Sequence, residues 1–190
     1  MRLSRRVTEL AESATLAVTG RAAKLKAEGV DVISFGAGEP DFDTPAHILK
    51  AVIDAIESGQ TRYPKPASGL PVVRQEICDK LKRLNDVAYK PEQVIVTSGG
   101  KDAAYLAIHA LIDPGDEVVI PAPYWVSYPE MVKLAGGVPV YVAGHEEDDY
   151  KLTPERLKAV LSPRTKMFIF NSPSNPSGVT SEPDEIRALA

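Results

Sequence analysis

The sequence predicts a layered α/β domain with a mainly parallel sheet, and three observations carry that prediction. From residue 45 onward, short apolar runs alternate with stretches of helical periodicity. Each apolar run is bounded by glycine or proline. The runs are near-continuously apolar, as strands are when helices cover both faces of their sheet.

Thr44 followed by Pro45 reads as a helix N-cap and a first helical residue. Ile48, Leu49, Val52, Ile53 and Ile56 then recur at helical spacing, and Gly59 stands where a C-terminal cap belongs. Residues 60–69 carry two prolines and a glycine and form a loop. Pro71 opens a second helix with Val73, Ile77, Leu81 and Leu84 as its stripe, and Asn85 closes it. Val94-Ile95-Val96 is the first expected strand, followed by a helix over 101–112 that stops at Asp113-Pro114-Gly115. Val118-Val119-Ile120 is the second strand, and residues 129–135 make a short helix ended by Gly136-Gly137. Residues 138–142 supply the third strand, and 145–149 a solvated turn. Thr153-Pro154 repeats the cap-plus-proline device, with Leu157, Val160 and Leu161 as the buried face. The fourth strand covers 167–170, a turn-rich loop follows over 171–178, and an acidic-led helix begins near Ser181. That helix shows no stop signal, which reads as a chain cut within an element.

Composition narrows the function. The 190 residues carry a net charge of −4, and the basic cluster Arg2, Arg5 and Arg6 is too small for a nucleic-acid face. Polar residues follow that cluster directly, so no secretory signal is expected, and no window approaches the roughly 18 apolar residues of a membrane span. Cys78 stands alone, without a disulfide framework or metal spacing, and the three histidines are scattered. A soluble cytoplasmic protein is expected, with neither nucleic acid nor membrane as partner.

Three turns could carry chemistry. Thr97-Ser98-Gly99-Gly100-Lys101 lies between an expected strand and an expected helix. Backbone N–H groups at a helix start attract anions, and glycine permits close approach; an ordinary βα turn would use the same residues. It is not a Walker loop, because Ile95 occupies the place of the first glycine. Gly36-Ala37-Gly38 is not a dinucleotide fingerprint, because Asp41 replaces the third glycine. Ser98 and Lys101 also spell S-x-x-K, but the S-D-N and K-T-G partners of that serine chemistry do not occur. Trp125, the sole tryptophan, follows the second strand at the carboxyl end, where parallel sheets collect ligands. It fits either rim packing or a stacking platform for an aromatic ring. Asn175 sits in the proline-rich loop after the fourth strand, which is either a surface loop or a rigid mount for one amide.

In order along the chain, residues 36–45 (GAGEPDFDTP), 61–69 (TRYPKPASG), 96–103 (VTSGGKDA), 113–118 (DPGDEV), 123–129 (PYWVSYP) and 171–178 (NSPSNPSG) resemble the class I/II aminotransferases of fold type I, in particular their bacterial aspartate branch. The resemblance implies a three-layer large domain, incomplete at its C-terminus, over 45–190, preceded by an N-terminal arm and small-domain segment over 1–44. It implies pyridoxal 5′-phosphate as cofactor. Ser98, Gly99, Gly100 and Lys101 would hold its phosphate, Trp125 would stack on the pyridine ring, and Asn175 would bond the ring hydroxyl and help seat substrate. Gly38 would lie beside the substrate carboxylate. Tyr63 would reach the phosphate of a neighbouring subunit, which makes a homodimer the expected assembly. The implied reaction is transamination between an amino acid and a 2-oxo acid; the branch it resembles favours aspartate and glutamate, with aromatic or prephenate substrates left open. The family's Schiff-base lysine normally lies downstream of the Asn175 loop, so no catalytic residue is assigned within the chain and inactivity of the 190 residues alone is expected. A carbon–sulfur β-lyase of the same fold and a non-catalytic sensor domain are the competing readings.

Overall fold

A computed structural model describes residues 3–11, 13–36 and 38–190. The chain forms two compact units, one of Met1–Ala37 with Tyr105–Ala190 and the other of Gly38–Ala104.

The first unit is built on a parallel sheet of three strands, β1 (Glu117–Ala122), β2 (Val138–Ala143) and β3 (Thr165–Phe168), in the order β2-β1-β3. Glu117 pairs with Val138 and Ala122 with Ala143, while β3 joins the other edge of β1 with a register irregularity between Glu117 and Val118. Val118, Val119 and Ile120 of the central strand expose no surface. Burying each such side chain is worth roughly 1.5–3 kcal/mol relative to exposure, so this tripeptide anchors the unit. The connection from β1 to β2 runs through α6 (Ser127–Leu134), and that from β2 to β3 through α7 (Pro154–Val160). The two crossovers step in opposite directions across the sheet, and the right-handed sense that parallel connections adopt then puts a helix on each face. Val119 and Val142 therefore meet Leu157 of α7, ringed by Val140, Leu152, Val160 and Phe168. Val132 of α6 is fully buried and packs with Ile112 around Gly137, where an added Cβ would come within 2.7 Å of Ile112. Thr153 caps α7 by accepting from the Arg156 N–H, with Pro154 at the first helical position. The chain closes with α8 (Pro183–Leu189).

At the amino end of β1, Glu117 is buried and accepts from the Ser162 hydroxyl at 2.5 Å and from Arg164 Nε at 2.9 Å. These bonds hold its carboxyl below the ordinary carboxylate range, the Ser162 bond most strongly and Arg164 next. The amino end of the sheet is thereby pinned, and the carboxyl end is left to its loops.

Two N-terminal helices, α1 (Arg5–Thr8) and α2 (Ala14–Ala27), also belong to this unit. The Ser13 hydroxyl oxygen caps α2, accepting from the Leu16 N–H. Neither helix buries a residue.

The second unit holds α3 (Ala46–Glu57), α4 (Pro71–Asn85), a 3₁₀ turn at Pro91–Gln93 and the opening turn of α5 (Gly100–Leu111). Pro71 occupies the first position of α4, and Asp86 caps its far end in the left-handed conformation. Arg74 and Cys78 are buried, and Arg74 Nε donates to the Pro91 carbonyl at 2.7 Å. No helix among the described residues is long and apolar enough to cross a membrane.

Several expectations are corrected in detail. Val94-Ile95-Val96 is not a strand of the described sheet: its Val96 N–H bonds the Ser68 carbonyl at 2.9 Å, and Ile95 is 68% exposed. Apolar β-branched composition favours an extended backbone, but a ladder needs a neighbouring strand, which the sequence pattern cannot supply. Helix α3 starts after Pro45, which takes the N-cap position expected of Thr44. Pro129 is the third residue of α6, not its opening residue. Strand β3 runs two residues earlier than expected, and Leu161 is half exposed as the C-cap of α7 instead of completing its buried face.

Candidate cofactor site

The anion turn comes first. Gly100 begins α5, whose opening bond runs from the Ala103 N–H to the Gly99 carbonyl at 3.2 Å. Helix geometry leaves the N–H groups of that first turn without intrahelical acceptors, at the positive end of the helix dipole. Gly99 holds φ +93°, a conformation that glycine adopts at no steric cost. A Cβ placed at Gly99 or at Gly100 would meet nothing within 4 Å, so the approach to the turn is open. Ser98 and Lys101 are exposed. The Thr97 hydroxyl donates to the Gly99 carbonyl at 3.0 Å, and Asp102 accepts from the Ser98 N–H at 3.1 Å. Asp102 thus closes the turn from the first turn of the helix. Its spacing four residues after Ser98 is shared by any surface carboxylate in a first helical turn, so the sequence did not mark it.

The other two turns share one edge of the sheet. β1 and β3 are parallel neighbours, so the loops leaving their carboxyl ends emerge on the same side. After β1, a cis bond precedes Pro123, and Trp125 lies half-buried with its ring edge-on to Tyr128, centroids 5.3 Å apart and planes at 89°. Tyr124 stacks on Tyr141 at 5.3 Å. After β3, the Asn171 side-chain oxygen accepts from the Asn175 N–H at 3.0 Å, and cis bonds precede Pro173 and Pro176. Gly178 N–H closes the loop on the Ser174 carbonyl at 2.7 Å. Asn175 and Asn171 line one cleft with Tyr124, Tyr128 and Phe170. Tyr128 was not singled out by sequence, where it read as one letter of the aromatic turn.

Ser98, Gly99, Gly100 and Lys101 thus form a single turn, while Trp125 and Asn175 stand on the carboxyl edge of the sheet. Gly38 and Tyr63 belong to the second unit. Gly38 is exposed with open space at its Cβ position, and Tyr63 is 93% exposed.

These features define a parallel α/β protein with an open glycine turn at the start of α5 and an aromatic–amide cleft at its strand ends. The family profile "Aminotransferase class I and II" matches residues 30–190, and the chain belongs to that family. The chain is 55% identical over 189 residues to the aspartate aminotransferase of Geobacillus stearothermophilus, covering 100% of this chain and 48% of that one. It is 53% identical over 187 residues to the aspartate/prephenate aminotransferase of Cereibacter sphaeroides, covering 98% and 46%. Among solved structures, the aspartate aminotransferase from Thermus thermophilus with maleate superposes at a TM-score of 0.94 and 46% identity, over 100% of this chain and 50% of that one. The chain spans about half the length of the curated relatives it matches.

The family depends on pyridoxal phosphate. The residues present suit that group. The glycine turn has the unfilled space and helix-end N–H groups a phosphate requires, and the half-buried indole and loop amide have the chemistry to meet a hydroxylated pyridine.

Proposed function

We propose that the chain supplies cofactor-binding residues for pyridoxal-phosphate-dependent transamination between an amino acid, aspartate or glutamate, and a 2-oxo acid. The observation that carries this reading is the open turn at the start of α5, in a chain of an aminotransferase family. Ser98, Gly99, Gly100 and Lys101 would hold the phosphate through hydroxyl, backbone N–H and ammonium groups. Trp125 would stack on the pyridine face, and Asn175 would donate its amide to the ring hydroxyl and help seat substrate. Gly38 would let the substrate carboxylate approach the backbone. When bound, the cofactor supplies an electron sink for the substrate α-carbon. The chain's own residues orient it, neutralise its phosphate and keep its ring plane fixed.

Tyr63, projecting from its loop, would reach the phosphate of a second subunit in a homodimer. Residues 1–44 would serve as arm and small-domain segment, and 45–190 as large-domain sequence. We place the protein in the cytoplasm. The 190 residues assayed alone are expected to be inactive, since no residue here is assigned the role of the cofactor-bearing lysine.

The test uses pyridoxamine 5′-phosphate and pyridoxamine, which carry an amine and so form no adduct with surface lysines. Quenching of the sole tryptophan reports binding directly. The phosphorylated compound should bind at least about tenfold more tightly, the gap expected from charge-assisted bonds to a phosphate, and Ser98→Ala should narrow the difference. Equal affinity of the two compounds would refute a phosphate role for the turn.

A further inference from the structure

We propose that Tyr128 is a positioning residue that fixes the ring plane of Trp125 for stacking on the cofactor; this rests on the cofactor reading above and deepens it. A half-exposed tryptophan on a loop has several rotamers, and a stacking platform works only if one of them dominates. One contact suited to that task is visible. Tyr128 presents itself to the indole at 89° and 5.3 Å, the edge-to-face geometry that aromatic quadrupoles favour.

Tyr128 is itself firmly mounted. It sits in the first turn of α6 between Trp125, whose carbonyl accepts its N–H at 3.0 Å, and the buried residues Pro129, Met131 and Val132. Its ring lines the cleft shared with Asn171 and Asn175, and burial pushes its phenol above the usual tyrosine range. One ring therefore touches both the stacking indole and the cleft of the amide loop. An edge-to-face contact needs the ring and not the hydroxyl, so Tyr128→Phe should preserve the effect and a ringless side chain should abolish it.

The experiment compares the 190-residue chain with Tyr128→Phe, Tyr128→Leu and Tyr128→Met, each first shown by thermal melting to be folded; two ringless variants guard against one failing to fold. Without ligand, the near-ultraviolet circular dichroism of tryptophan should persist in the Phe variant and be largely lost in the Leu and Met variants. In titrations with pyridoxamine 5′-phosphate, the ringless variants should bind about three- to tenfold more weakly, the scale of one aromatic pair, and the Phe variant within about twofold of the parent. A ringless variant that keeps both the dichroism and the affinity overturns the proposal. So does a Phe variant that loses as much as the ringless ones, because the hydroxyl would then be the acting group. If the parent chain binds no pyridoxamine 5′-phosphate while the ringless variants still lose the dichroism, the ring-fixing contact stands and the cofactor reading fails.

Discussion

Gly69→Ala is the substitution whose consequence follows most directly from the geometry. Gly69 holds φ +119°, and an added Cβ would come within 2.7 Å of Val96 Cγ2 and 2.9 Å of Val96 Cβ. The first feature costs a non-glycine residue on the order of 1–3 kcal/mol in backbone strain. The second is overpacking, which costs a further 1–3 kcal/mol or so when neighbours must shift. Val96 is 42% exposed and has somewhere to move, but it is β-branched and stiff at χ1, and its N–H is tied to the Ser68 carbonyl. Taking the lower part of both ranges gives about 3 kcal/mol. With a urea slope of about 2 kcal/mol per molar, the unfolding midpoint should fall by about 1.5 M. Combining the change with Val96→Ala separates the two causes. The truncated partner relieves the crowding but not the backbone, so the pair should recover about 1–2 kcal/mol of the loss in a double-mutant cycle. A midpoint shift below about 0.3 M, or a double variant with no recovery, would refute the reasoning.

Gly100→Ala should do the opposite to the fold. The site is open and helical, so stability should hold or rise by up to about 1 kcal/mol in urea, while the methyl group keeps a phosphate off the helix start and weakens pyridoxamine 5′-phosphate by about tenfold or more. Glu117 has a lowered carboxyl pKa, so its contribution is present above the unfolded value of about 4.3 and is lost as pH falls through the lower folded value. Urea midpoints taken from about pH 6 to about pH 3 should therefore drop steeply for the parent and less steeply for Glu117→Gln. Leu157→Ala removes the α7 member of the cluster with Val119 and Val142 and should cost about 2–5 kcal/mol by the same assay.

What the sequence disclosed was what depends on neighbours in the chain. Thr153 and Pro154 specify the start of α7 through one hydroxyl and one fixed φ, and both act as read. Pro71 opens α4 for the same reason, although Asp86 and not Asn85 takes the C-cap. Val118-Val119-Ile120 reads as a covered strand because three consecutive β-branched residues tolerate little else. The misses are the features decided at a distance. Whether Val94-Ile95-Val96 is a strand depends on a partner strand, and whether Leu161 is buried depends on where α7 stops. Helix α2 escaped notice because its sequence, with Thr15, Thr19 and Gly20 among its alanines, shows no apolar stripe. Within the site, the residue types were legible but the links between them were not. Neither the Asp102 carboxylate on the Ser98 N–H nor the Tyr128 ring against Trp125 leaves a pattern that distinguishes it from surface polarity or ordinary aromatic packing.

The three turns are not held equally, and that difference bears on function. Those after β1 and β3 leave strands held in a paired sheet, with Val118, Val119 and Ile120 of the central strand fully buried, so their starting points are anchored. The anion turn follows a run with no ladder among the described residues, held to its own unit by the Val96–Ser68 bond and by the close approach of Gly69. A phosphate cradle needs its N–H groups placed to within about 0.5 Å, because a charge-assisted bond weakens steeply with distance and angle. On the proposed reading, the placement of Ser98 to Lys101 therefore depends on Gly69, 29 to 32 residues away in sequence and outside the turn. Gly69→Ala should accordingly weaken pyridoxamine 5′-phosphate under conditions where the chain is still folded, whereas Leu157→Ala should lower stability and leave the affinity of the folded fraction unchanged. If both variants lose affinity only in proportion to unfolding, the anion turn is set by something other than the Gly69–Val96 contact.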